Sequence, residues 1–362
     1  MSSSKIHLGI IGLGGIGKRH LANFARLSDE VEIVALCDKD PQALASVQQK
    51  APKMTTNVEE FFGVPLDAVC VCTPNASHYE LVKRALLKGL HVLCEKPFTL
   101  KVQEARELSE LAEKHNLVGM IAFSYRFVPA FRMLREIVQR GKAGRLYHIR
   151  CHYLQSWLSS PRAPFSWRLD SSQAGTGVLG DLGAHVFDMG EFLTGKKLAR
   201  VYAFARTFIP SRYDPASGGY REVDVDDAVV VLGEMEDGTF FTAEMSRYAT
   251  GRGNSFTVEI NGDRGAFIAD VERPGEILAC PEAMAEYTDF TTNFASFPCP
   301  SSFGETDHYY SQTKAFVQTV KGHKADFLPS FFDGWRCQEI IESCSLSIQK
   351  GRWVEVKPRT AG

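Results

Sequence analysis

The stretch Ile10-Ile11-Gly12-Leu13-Gly14-Gly15-Ile16-Gly17 decides how the rest of the chain is read. An apolar run precedes three spaced glycines and an amphipathic segment follows them, the order strand, turn, helix of a dinucleotide-binding unit. In that geometry Gly12 makes the tight turn, Gly14 lets the backbone approach a pyrophosphate, and Gly17 lets the helix lie close to the strand. Gly15 and Ile16 complete the turn, where N–H groups at the helix start present partial positive charge to phosphates. Alone, such a hexapeptide is a weak signal, and a structural Gly-rich turn is the alternative. Asp38 strengthens it by closing the next apolar run about 20 residues past Gly17, where a carboxylate can bind both ribose hydroxyls. A carboxylate there repels a 2′-phosphate and favours NAD over NADP, while the neighbouring Lys39 offsets that repulsion and keeps NADP open.

Working outward, residues 1–125 alternate short apolar runs with helical periodicity. Strands are expected at 6–11, 31–37, 68–72, 91–94 and 118–122, which implies an α/β fold with a doubly wound parallel sheet. After Tyr125-Arg126-Phe127 the rhythm changes. A helix over 129–140 and a strand over 147–153 precede a Ser/Pro-rich loop at 156–166, a short helix over 180–193, and β-rich segments at 200–208, 226–234, 239–248, 255–261 and 266–270. Residues 126–362 are therefore expected to form a second α/β domain with a large, mostly antiparallel open sheet, whose last helices lie near 308–321 and 333–350. The Phe-rich region between residues 290 and 303 reads as core more readily than as pocket lining or subunit contact.

The composition permits two ordinary domains: 362 residues, 44% hydrophobic and 23% charged. A formal net charge of −2 and the lack of any Lys/Arg run disfavour nucleic acid as a partner. No apolar stretch approaches the roughly 18 residues that span a bilayer, so no membrane partner is expected. The N-terminal sequence lacks the succession of a signal peptide, which makes the cytoplasm the expected location. The nine cysteines are scattered and are read as reduced thiols. Cys70 and Cys72, alternating with Val69 and Val71, read as a buried parallel strand rather than a metal site.

Three further segments carry chemistry. Cys72-Thr73-Pro74-Asn75 ends a core strand at the carboxyl edge where ligands of open α/β sheets bind. Thr73, Pro74 and Asn75, with His78 beyond them, are candidates for the nicotinamide end of a dinucleotide, the alternative being that Asn75 caps the following helix. Glu95-Lys96-Pro97 closes the next strand and adds Glu95 and Lys96 to the cofactor candidates. The proline restricts Lys96 and admits a cis bond. In Asp181-Leu182-Gly183-Ala184-His185-Val186-Phe187-Asp188, a helix would put Asp181 and His185 on one face, with Asp188 one turn later. A His oriented by a carboxylate can accept a proton near neutral pH, which alcohol oxidation requires. An ordinary helical pair worth about 0.2–0.5 kcal/mol is the alternative. A metal is not expected, since no HExxH or CxxC pattern supplies further ligands.

Together the Gly12/Gly14/Gly17 turn, Glu95-Lys96-Pro97, Tyr125-Arg126-Phe127 and the segment with Asp181, His185 and Asp188 resemble the glucose–fructose oxidoreductase, inositol dehydrogenase and rhizopine-catabolism (Gfo/Idh/MocA) family, in order and spacing over nearly the whole chain. The resemblance implies an NAD(P)-dependent oxidoreductase acting on a secondary hydroxyl of a sugar, inositol or related polyol at a cleft between its two domains. It implies Lys96 as the group that hydrogen-bonds the reacting oxygen, His185 as proton acceptor and Asp181 as its assisting, substrate-binding carboxylate. Arg126, Trp167 and Arg168 fall where the family approaches substrate or nicotinamide, and the C-terminal sheet is where it forms homodimers or homotetramers. In Ala174-Gly175-Thr176-Gly177 the threonine departs from the usual glycine triplet and alters the approach loop. Two other outcomes belong to the same superfamily: an NAD-dependent redox glycosidase and a non-catalytic dinucleotide-binding repressor.

Overall fold

The computed structural model describes residues 5–282, 294–323, 325 and 327–356. The chain divides into two compact units, Met1–Ser124 with Tyr309–Gln338 and Tyr125–His308 with Glu339–Gly362.

In the first unit, six strands alternate with helices: β1 (Ile6–Ile11), α1 (Gly15–Ala25), β2 (Val31–Cys37), α2 (Pro41–Ala45), β3 (Lys53–Thr55), α3 (Val58–Phe61), β4 (Ala68–Val71), α4 (His78–Leu87), β5 (His91–Cys94), α5 (Val102–Lys114) and β6 (Gly119–Ile121). The strand order is β3-β2-β1-β4-β5-β6 and the β1–β2, β1–β4 and β4–β5 pairings are parallel, the doubly wound arrangement whose order reverses beside β1. Ala68, Val69, Cys70 and Val71 are all buried, as expected of a parallel strand covered on both faces. Strand β3 was not foreseen because three residues with two half-buried side chains show no apolar run. Local signals start the short helices: Asp40 accepts the Gln42 N–H with Pro41 at the first helical position, and Asn57 accepts that of Glu59.

The later helix α10 (His308–Val320) adds residues from Tyr309 onward to this unit, with aromatic anchoring. Phe316 packs edge-on against Phe24 of α1 at 6.4 Å, Arg26 lies 3.6 Å over the Tyr310 ring, and Lys321 and Gln318 both reach Glu30.

The second unit is built on a nine-stranded sheet among the described residues, ordered β16-β15-β14-β13-β7-β12-β11-β8-β17 and antiparallel except where β7 meets β12. Its strands are β7 (Leu146–Leu154), β8 (Leu198–Arg206), β11 (Ala228–Met235), β12 (Phe240–Ser246), β13 (Ser255–Gly262), β14 (Gly265–Asp270), β15 (Glu276–Pro281), β16 (Ala295–Pro298) and β17 (Val354–Glu355), with a separate hairpin of β9 (Ser211–Asp214) and β10 (Gly219–Glu222). Period-2 alternation explains its two faces. In β11, Val229, Val231 and Met235 are buried under helices while Val230 and Leu232 point outward. The covering helices include α6 (Pro129–Gln139) and the nearly wholly buried α9 (Gly183–Thr194), preceded by the short α7 (Ser171–Ala174) and α8 (Val178–Asp181). The long α11 (Phe331–Lys350) contributes to both units.

The outward face carries an apolar stripe in register. Val230 pairs with Phe204 of β8, Leu232 pairs with Thr242 of β12, and Phe240 stacks on His148 of β7. Phe204, Val230, Leu232 and Phe240 are each about half exposed. The Phe-rich region is not core. Phe294, Phe297 and Phe303 are half-buried around edge strand β16, while residues 290–293 lie outside the described residues. Among the described residues no helix is long and apolar enough to cross a membrane.

Because Phe316 is 1% exposed and fills the space over Phe24, Phe316→Ala should destabilise the first unit by about 3–5 kcal/mol. Chemical denaturation followed by far-UV circular dichroism measures this, and a loss below about 1 kcal/mol would mean α10 is not part of that core.

Candidate functional site

The first unit presents a phosphate cradle. Gly12 has φ +90°, and a Cβ there would stand 2.6 Å from the Cys72 backbone, so only glycine fits where the loop crosses β4. Gly17 approaches still closer: a Cβ would lie 1.9 Å from the Gly12 carbonyl oxygen. Gly14 and Gly15, by contrast, face open space. No side chain caps α1, so its first N–H groups around Gly15, Ile16 and Gly17 point into that space. The Asp38 carboxylate accepts the Leu13 N–H at 2.6 Å and the Asp40 N–H at 2.9 Å, which fixes it beside the glycine turn, and Lys39 is exposed next to it. A dinucleotide fits these groups: uncapped N–H donors over an open cradle for phosphates and a fixed carboxylate to accept from ribose hydroxyls.

Around the strand ends, Ser77 Oγ donates to Thr73 Oγ1 (2.7 Å) and to the Pro74 carbonyl (2.8 Å). Asn75 starts a 3₁₀ turn, and the cap position of α4 falls to Ser77, so the capping alternative for Asn75 is not what the fold uses. His78 differs from expectation. It is fully buried, with Nδ1 3.0 Å from the Pro97 carbonyl and Nε2 2.9 Å from that of Thr73. Burial, the largest influence, pulls its pKa below the ordinary imidazole value, although the surrounding carbonyls pull the other way. Its ring therefore ties the Thr73 turn to the Pro97 turn and is not offered to a ligand. The Lys96–Pro97 bond is cis and Lys96 is half-buried.

Glu95 makes contacts that the sequence reading did not foresee. Its carboxylate is buried, 2.7 Å from His20 Nε2, and it accepts the Lys96 N–H at 3.2 Å. Burial is the largest influence on both partners and opposes charge on each. For Glu95 it is outweighed by the hydrogen bond and charge of His20 and by Lys96, which hold the carboxyl below its usual range. For His20 the raised pKa is ascribed to Cys72 and to Glu95. Burial drives the Cys72 thiol far above its ordinary pKa, and the hydrogen bond and charge of Glu95 favour the protonated form of His20. His20 escaped the sequence reading although it sits one turn past Gly17, on the buried face of α1. His20, Cys70 and Cys72 bring potential ligand atoms within 4.8 Å of one another. The Cys70 and Cys72 sulfurs lie 3.4 Å apart, and Nε2 of His20 is engaged by Glu95.

In the second unit the helix expected over Asp181 and His185 is broken at Leu182 into α8 and α9. Asp181 accepts from Arg247 Nη2 at 2.8 Å. The His185 ring is buried against Tyr125, with centroids 4.5 Å apart, and Tyr153 at 6.0 Å. Tyr125 and Tyr153 share a hydroxyl contact of 2.7 Å, Asn254 bonds to both, and Gln155 links Asn254 to Trp157. Tyr125 belongs to the Tyr125-Arg126-Phe127 motif, but neither it nor Tyr153, Asn254, Gln155 or Trp157 was foreseen as part of the site. Arg126 is also reassigned: its guanidinium grips Asp188 through Nε (2.9 Å) and Nη2, an ion pair with both side chains buried. The fold thus uses it to fasten the start of the unit to α9. Arg168 lies 4.5 Å over the Trp167 ring in a 3₁₀ turn.

Known proteins resemble the chain over nearly its whole length. Residues 6–123 match the family model described as oxidoreductase family, NAD-binding Rossmann fold, and residues 131–268 match the GFO/IDH/MocA C-terminal domain. Levoglucosan dehydrogenase of Pseudarthrobacter phenanthrenivorans is 29% identical, over 97% of this chain and 98% of that protein. A solved levoglucosan dehydrogenase, in complex with NADH and levoglucosan, superposes with a TM-score of 0.89 at 28% identity, covering 98% of this chain and all (100%) of that one. An oxidoreductase domain protein from Kribbella flavida gives 0.88 at 30% identity, covering 98% and 100%. The fold, the cradle and these matches define an oxidoreductase with an NAD-binding Rossmann domain. Within that class, the chain belongs to the GFO/IDH/MocA family.

The His20–Glu95 pair makes a signed prediction. A raised His20 contributes stability fully below its unfolded value of 6.5 and loses it as pH rises through the folded pKa; a lowered Glu95 contributes fully above 4.5 and loses it as pH falls. Glu95→Gln should therefore cost most stability near about pH 5.5 and clearly less near about pH 9, as read by urea denaturation. An equal cost at both would show that the pair is not ionic.

Proposed function

We propose that the protein reversibly oxidises a secondary hydroxyl of a sugar, inositol or related polyol, with NAD preferred over NADP. The bound dinucleotide supplies the hydride acceptor. The observation that carries the reading is the retention of Lys96, Asp181 and His185 in settings prepared for chemistry: Lys96 on a turn held by Glu95 and His78, Asp181 fixed by a buried guanidinium, His185 packed between tyrosines. Lys96 hydrogen-bonds the reacting oxygen and lowers the cost of negative charge on it. His185 accepts the hydroxyl proton as the carbon is oxidised, and Asp181 holds the substrate hydroxyls and assists His185. Trp167 and Arg168, stacked on each other, border the substrate. Asp38 receives the adenosine ribose hydroxyls and disfavours a 2′-phosphate.

A panel of levoglucosan, aldoses, inositols and amino sugars, assayed for NADH and NADPH production, tests the substrate class. Lys96→Met and His185→Ala should each cut kcat about 10²- to 10⁴-fold while leaving NAD binding within about tenfold of the wild type. Turnover at the wild-type rate in either variant removes that residue from the mechanism. Glycoside cleavage without NADH accumulation would point to a redox glycosidase instead, and dinucleotide binding with no turnover on any sugar would point to a sensor.

The apolar stripe of Phe204, Val230, Leu232 and Phe240 fits a self-associating sheet face, and we assign it to a homodimer or homotetramer contact. Leu232→Arg should shift the protein toward monomer in sedimentation velocity at micromolar concentration; an unchanged sedimentation coefficient would place the contact elsewhere. The nine cysteines, all free, fit a reducing compartment such as the cytoplasm.

A further inference from the structure

Arg247 follows β12, and its backbone is locked on both sides: its N–H donates to the Asp227 carbonyl at 3.2 Å and its carbonyl accepts the Leu158 N–H at 3.2 Å. Its side chain is 1% exposed, whereas that of Asp181 is 24% exposed. The cation therefore lies beneath and the carboxylate in front. Nη2 donates to Asp181 Oδ2 at 2.8 Å and reaches the Gly177 carbonyl at 3.4 Å, while the Trp157 ring covers the guanidinium at 5.3 Å. Arg212, equally deep in this unit, does something different. Its Nη atoms donate to the Leu158, Ser160 and Ala163 carbonyls and the Tyr248 hydroxyl, which pins a loop and engages no carboxylate. In Arg247 the Nε and Nη1 groups are buried without an acceptor among the described residues. A guanidinium buried this incompletely satisfied is costly, and its single charge-assisted bond goes to Asp181.

A second carboxylate completes the device. Asp226 accepts the Gly177 N–H at 2.9 Å and the Leu179 N–H at 2.8 Å, anchoring the backbone that leads into Asp181. Burial is the largest influence on Asp226 and raises its pKa, with those N–H bonds and the charge of Arg247 acting against it. Asp226 thus holds the main chain and Arg247 holds the side chain.

We infer that Arg247 is a positioning residue, which fixes the Asp181 carboxylate in the one orientation that serves substrate and His185. The inference rests on the function proposed above and adds to it a residue that touches neither substrate nor cofactor. A carboxylate at a partly exposed position otherwise samples several rotamers, and a displacement of about 1 Å at a reacting centre can cost about 100-fold in rate.

The test is a double-mutant cycle with R247M, D181N and R247M/D181N, using R247K as the conservative variant. Expected is a loss of about 10- to 100-fold in kcat/KM for R247M, carried more by kcat than by KM, with partial recovery in R247K. The double variant should be no worse than D181N alone, because Arg247 acts only through Asp181. Additive losses, or R247M turning over like the wild type, would overturn the inference. A crystal structure of R247M, or of R247Q should R247M not fold, supplies a readout independent of turnover. Asp181 leaving its rotamer supports the role, and Asp181 unmoved overturns it. Wild-type enzyme inert toward every sugar of the panel would defeat the proposed function alone, leaving the Asp181 rotamer to decide this one.

Discussion

The close passage of helix α1 over the Gly12 carbonyl is the constraint on which the first unit depends. With no side chain at Gly17, the helix axis drops onto the sheet, and two consequences follow. Its uncapped N-terminus comes to face the open space above Gly14 and Gly15, and its buried face brings His20 onto the end of β5, where Glu95 waits. Phosphate cradle and lysine turn are thereby coupled through one helix: any residue that lifted α1 would pull His20 from Glu95, and Glu95 also holds the Lys96 N–H. A buried ion pair is weak evidence for stability but costly to break on one side only. Its value here is geometric, since it fixes where the strand turns.

The second unit solves a related problem with different parts. Its candidate carboxylate and imidazole sit on either side of a helix break at Leu182, so helix periodicity alone cannot hold them. Long-range partners do. Asp226 and Arg247 reach Asp181 and its segment from the β11 and β12 ends, and Tyr125 and Tyr153 clamp the His185 ring from the start of the unit and from β7.

What was legible in the sequence followed from local rules. Strands β1, β2 and β5 fell at the expected residues because a covered parallel strand is an unbroken apolar run, and the glycine spacing named its own geometry. The order of elements in the second unit was legible from turn signals such as Glu236-Asp237-Gly238, where Gly238 takes φ +85° between β11 and β12. The hairpin β9–β10 and the edge strand β16 were not, because exposed or half-covered strands lose the apolar alternation that marks a strand. In the site, residues within one motif could be read and residues joined across the fold could not. Asp188 was seen as a helical neighbour of His185, yet its partner is Arg126, 62 residues away. His78 and Glu95 were read as ligand-facing because both flank a motif. Burial turned them to backbone and to His20, and burial is a property of the whole fold.

The distribution of buried charge in the second unit carries the argument one step further. Arg126–Asp188 and Arg247–Asp181 both involve the stretch from α8 through α9, and in both the guanidinium comes from a distant element. Isosteric apolar groups could fill such sites at equal or lower cost in free energy, so packing alone does not account for two buried arginines here. What an arginine supplies and a leucine cannot is direction, because its planar fork meets a carboxylate in few geometries. Asp188, with a side chain 3% exposed, fastens α9 as a body, whereas the Asp181 side chain is 24% exposed. The same chemical pairing thus serves at two depths, and the shallower pair is the one the proposed function places beside the substrate.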